Sequence, residues 1–71
     1  MITRAQAEAL LTLAESLEAC ERLGFHIGAW MTQGVGIAYL TTDTQELDTE
    51  LTAMDIRLYV SDRVPKQEMQ A

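Results

Sequence analysis

Cys20 and His26 are the one thiol and the one imidazole in the 71-residue chain, so nucleophilic chemistry would have to be built on them. Cysteine catalysis needs a base that stabilises the thiolate, a third group that orients the base, and an oxyanion pocket. Cys20 falls on the expected apolar stripe of the first helix, where a cysteine packs as a small hydrophobe. His26 stands alone on an expected strand face, as a packing or surface residue. No catalytic residue is assigned, and the chain reads as a non-enzyme. One His and one Cys are also too few ligands for a protein-only zinc site, so neither metal nor cofactor is expected.

Gly34-Val35-Gly36 begins like a glycine-rich phosphate loop. Tyr39 stands where the third glycine belongs, however, and the run enters an expected strand instead of opening a helix. Its glycines read as turn formers. Asp43, Glu46, Asp48, Glu50 and Asp55 gather five acids with no intervening base. Leu47 and the lack of a glycine break the calcium-loop pattern, and no spacing sets two carboxylates across a cleft. Two readings stay open for this cluster. It is either a solvated face with negative charge at a helix N-terminus, or a rim that steers a basic surface of another macromolecule.

Aromatic rings with a polar handle dominate interface hot spots, which singles out Trp30, Tyr39 and Tyr59 as anchors. With Glu46, Asp48 and Glu50 as the steering rim, these six form the expected partner-binding set.

The elements that must position them follow from pattern. Thr3 and Gln6 make a capping box, and Leu10, Leu13, Leu17 and Cys20 are spaced 3, 4 and 3 apart. Gly24 suits a left-handed helix stop, so a helix is expected over residues 3–23. Alternation at Phe25, Ile27, Ala29 and Met31, and again at Val35, Ile37, Tyr39 and Thr41, predicts a hairpin closed by Thr32-Gln33-Gly34. A helix through the same residues would carry three glycines at ~1 kcal/mol each. Residues 42–53 resemble a short capped helix with Leu47, Leu51 and Met54 buried. Met54, Ile56, Leu58 and Val60 then alternate as a third strand; its rival is a helix that simply runs on. The expected fold is α+β, with helix, hairpin, short helix and strand forming a three-stranded sheet covered by helices on one face. The last strand would lie beside the second through a right-handed crossover. Trp30, Leu40, Tyr59 and His26 would then share the uncovered face. An all-α helical hairpin dimer is the alternative. Residues 1–64 make one compact domain and residues 65–71 a polar tail that frays beyond Pro65.

Composition bounds the rest. Eleven acids against five bases give −6, which opposes a phosphate backbone and argues against direct nucleic-acid binding. The most apolar stretch, residues 25–40, is too short and polar for a bilayer span of ~20 apolar residues. With a lone thiol, a cytoplasmic, reducing location is expected. A chain this short buries only ~60% of its unfolded surface, so a homodimer is expected. The resulting expectation is a small acidic module that regulates or inhibits a partner protein by occupying its surface. Short accessory inhibitors of the kind phages and plasmids encode share this composition. The alternatives are a structural subunit of a larger assembly, or a small-ligand or enzymatic role in a pocket across a dimer.

Overall fold

The structure, a computed structural model, describes residues 1–64 of the chain; the polar tail expected at residues 65–71 lies outside the described residues. The element order is α1 (Arg4–Arg22), β1 (His26–Thr32), β2 (Val35–Thr41), a 3-10 turn (Thr44–Glu46), β3 (Thr49–Leu51) and α2 (Ala53–Arg63). Two helices and a three-stranded antiparallel sheet make a small α+β domain, and the all-α alternative falls.

α1 starts and stops for the expected reasons. Thr3 Oγ1 accepts from the Gln6 amide at 3.1 Å, and Gln6 Oε1 accepts from the Thr3 amide at 2.9 Å. At the other end Gly24 takes φ +93°, a left-handed value that costs glycine nothing. The Phe25 amide then donates to Cys20 O at 2.9 Å and the Gly24 amide to Glu21 O at 3.1 Å, a complete Schellman motif.

The buried stripe of α1 is rotated from the expected one. Ala7, Ala14 and Leu17 are buried and Leu10 partly so, whereas Leu13 is 52% exposed and Cys20 is exposed. Cys20 is therefore no core residue. The reason lies in α2, whose Ala53, Ile56 and Val60 pack against that alanine-bearing face. Small side chains let two helices approach closely, and the leucines fall to the flanks.

Residues 53–63 are the largest departure from expectation. They form a helix, not the third strand. Thr52 and Asp55 build a second capping box, with Asp55 N donating to Thr52 Oγ1 at 3.2 Å and Thr52 N to Asp55 Oδ2 at 2.9 Å. Ala53, Ile56, Val60 and Val64 recur at helical spacing and are buried, while Met54 and Leu58 stay exposed. The short helix expected over residues 42–53 is likewise replaced by the 3-10 turn and β3.

Sheet order is β2-β1-β3, with β3 antiparallel to β1. The expected crossover beside β2 does not occur. Paired residues share a face. The registers Trp30↔Ile37, Gly28↔Tyr39 and Gly28↔Glu50 therefore place Trp30, Ile37, Tyr39, His26 and Glu50 on one face. Ile27 on the opposite face packs against Ala14, Leu17, Ala53 and Ile56, so the helices lie on that side. Leu40 also points to the helix side, as the partner of Ile27. Tyr59 sits on α2. Neither shares the open face with Trp30 and His26.

Two carboxylates of α1 stitch the helices together. Glu21 Oε2 accepts from the Ala53 amide at the α2 N-terminus (3.2 Å), and Glu18 Oε2 accepts from Arg57 Nη1 at 2.9 Å. The hydrogen bond from Arg57, and then its charge, hold the Glu18 carboxyl below the ordinary carboxylate range. A depressed folded pKa contributes stability above the unfolded value and loses it as pH falls through the folded one. The Glu18→Gln variant should accordingly lose less stability on acidification than the parent. Urea midpoints at neutral pH and at about pH 3 measure this, and an unchanged acid loss would remove Glu18 from the account.

Candidate functional site

The face opposite the helices is built around a glycine. Gly28 on the central strand is directly opposite Tyr39, and the Tyr39 ring lies over it so closely that any Cβ at position 28 would run into the ring. A strand glycine of this kind marks close approach by another group. Tyr39 Oη donates to the Glu46 carbonyl at 2.8 Å, which anchors the ring to the segment after β2.

That segment is held back onto the sheet by short-range polar bonds. Thr41 Oγ1 donates to Glu46 Oε2 at 2.9 Å and accepts from the Asp43 amide at 2.9 Å. Asp43 Oδ1 caps the 3-10 turn by accepting from the Gln45 amide at 2.9 Å. Folding residues 42–48 over in this way brings Glu46 and Asp48 beside Trp30 and Tyr39. These four line an open hollow of ≈ 430 Å³. Its lining is two aromatic and two acidic residues, a combination suited to a cation: ring faces carry negative potential and the carboxylates add full charge.

Glu50 lies on the same face but is engaged, its Oε2 2.7 Å from His26 Nδ1. His26 thus faces a carboxylate. The Cys20–His26 dyad weighed from sequence has no counterpart, because Cys20 belongs to α1 and is exposed. Among the described residues no group of three His, Cys, Asp or Glu side chains is placed to hold a metal ion.

Of the six residues expected to bind a partner, Trp30, Tyr39, Glu46 and Asp48 come together, and Glu50 adjoins them. Tyr59 does not. Its ring stacks under the Arg63 guanidinium, 3.8 Å from the centroid, and borders hollows with Leu10, Ile56 and Ile2 between the helices. Sequence reasoning missed Ile37, which shares the face with Trp30, and Gly28, which makes room for Tyr39. A two-residue turn at Gln33 and Gly34 is the signal that would have found both.

Among the described residues no helix is long and apolar enough to cross a membrane. No protein-family model, curated protein or solved structure matches this chain.

Proposed function

We propose that the chain is a non-enzymatic binding module whose open sheet face docks on a basic segment of a partner protein and, by occupying it, regulates or inhibits that partner. The grouping of Trp30 and Tyr39 with Glu46 and Asp48 around one hollow carries this reading. Trp30 and Tyr39 supply apolar area and ring faces for a lysine or arginine side chain, and the two carboxylates supply orientation and steering. The surrounding hairpin adds no Lys or Arg, since residues 25–42 contain neither. An exposed lone thiol at Cys20 suits a reducing compartment, which favours the cytoplasm.

Trp30, the sole tryptophan, reports on its own site. Titration with an arginine-rich peptide should shift its fluorescence, and added salt should weaken the response. Joint replacement Glu46→Gln and Asp48→Asn should weaken binding about tenfold or more, as expected for losing charge partners at a rim. Glu8→Gln with Glu15→Gln, on α1, should leave it unchanged. If both pairs of substitutions weaken binding equally, attraction is merely to net charge and the docking site is lost.

A further inference from the structure

We propose that two copies of this chain pair through the free edge of β2, antiparallel and centred on Ala38, to form one continuous six-stranded sheet. This does not rest on the docking reading, because pairing is carried by the outward backbone groups of β2 and not by the hollow at Trp30, Glu46 and Asp48.

The sheet has two edges, and they are unlike. β3 is three residues long, carries Glu50 and follows Asp48, which are features that discourage a further strand. β2 is seven residues long, Val-Gly-Ile-Ala-Tyr-Leu-Thr, with no charge and no proline. No bulge interrupts its register from Thr32↔Val35 to His26↔Thr41. Among the described residues nothing blunts this edge.

Turn geometry says which of its backbone groups are free. Gln33 and Gly34 both take positive φ, 50° and 80°, the signature of a two-residue type I′ loop. Such a loop closes on a hydrogen-bonded pair, here Thr32 and Val35. Alternation then turns Val35, Ile37, Tyr39 and Thr41 inward to β1, and leaves the N–H and C=O groups of Gly36, Ala38 and Leu40 pointing outward.

A two-fold axis through Ala38 uses all of them. It sets Ala38 opposite Ala38 of the second copy, Gly36 opposite Leu40, Ile37 opposite Tyr39 and Val35 opposite Thr41. Leu40, 73% exposed, meets a residue without a side chain, and Ile37 stands opposite Tyr39, whose ring is turned inward over Gly28 and leaves room beside it. The strand is thus self-complementary, which an interface between identical copies requires and an unrelated partner does not. It also brings no like charges together, although each copy carries −6.

Val35, Ile37 and Leu40 together expose on the order of 300 Å². Adding the backbone edge, the pair falls among the smaller specific interfaces, below ~1,200 Å² in total. A concentration-dependent dimer follows.

Light scattering after size exclusion should give twice 7.9 kDa at high concentration. Ala38→Pro removes an outward donor and Leu40→Lys places a charge on the edge. Each should raise the dimer dissociation constant at least tenfold, with helical circular dichroism retained. In a Cys20→Ala background, a short bis-maleimide should link Ala38→Cys into a dimer, because facing residues of a hydrogen-bonded pair stand slightly too far apart for a direct disulfide, whereas Gln33→Cys at the hairpin tip should not be linked. That comparison decides the matter should either edge variant fail to fold. A mass of 7.9 kDa throughout, a dimer indifferent to both edge variants, or equal cross-linking at positions 33 and 38 overturns the proposal. Monomeric Leu40→Lys should still answer the arginine-rich peptide through Trp30, so failure of one reading leaves the other measurable.

Discussion

Leu17→Ala is expected to remove about half of the stability of this domain. The buried hydrophobic side chains are Ala7, Ala14, Leu17, Ala53, Ile56, Val60 and Val64, and three of the seven are alanines. Leu17 is the largest contributor that α1 makes to the cluster it shares with Ala14, Ala53 and Ile56, with Ile27 of β1 packed against it. Truncating a buried leucine costs about 2–5 kcal/mol, the upper end applying where the neighbours cannot collapse into the space. Backbones already brought close by Ala14 and Ala53 leave little room for such collapse. A chain of this length has about 4–10 kcal/mol in total. Leu13→Ala, four residues away on a half-exposed flank, should stay within about 0.5 kcal/mol. Thermal unfolding followed by circular dichroism distinguishes the two. Equal losses would mean that α1 packs on the stripe its leucines suggest, not on its alanines.

Gly28→Val should have the second-largest effect, and it should reach the site. The added side chain occupies the space of the Tyr39 ring, which is tethered by its hydroxyl to Glu46 and cannot simply swing away. Forcing such an overlap costs about 1–3 kcal/mol. Displacing the ring also releases residues 42–48, and with them Glu46 and Asp48, from their place beside Trp30. Reduced thermal stability together with loss of the peptide response is the expected result. Tyr39→Phe keeps the ring and drops one hydrogen bond, so it should cost only about 1 kcal/mol. Adding Tyr39→Ala to Gly28→Val should recover part of the stability but not the binding. Wild-type behaviour of Gly28→Val would mean that the ring does not rest on the glycine.

Elements announced by local chemistry were legible in the sequence. The Thr3–Gln6 box, Gly24 and the hairpin glycines each act within a few residues, and each is where pattern places it. α2 was read as a strand because Met54, Ile56, Leu58 and Val60 alternate. That alternation has no inside and outside to report, since Met54 and Leu58 remain in solvent. The Thr52–Asp55 box was the better signal. The face assignment failed for a subtler reason. A three-residue loop at Thr32-Gln33-Gly34 pairs Trp30 with the even-numbered residues of β2 and hence groups it with Leu40. The actual loop is one residue shorter, and a one-residue slip exchanges the faces of a whole strand. Tyr39 therefore joins Trp30. The arrival of Glu46 and Asp48 beside them depends on how residues 42–48 fold back, which no periodicity encodes.

The uncharged β2 strand has a consequence for how the protein must be handled. Its segment Val35–Thr41 has the makings of a cross-β stacker: high β-propensity, no charge and no proline. Acidic residues elsewhere keep separate molecules apart at neutral pH, and that repulsion vanishes near the isoelectric point of about 4.4. Close to that pH an unoccupied edge becomes a template for fibrils. A strand engaged with its own copy is withdrawn from that traffic, so self-pairing would double as protection against aggregation.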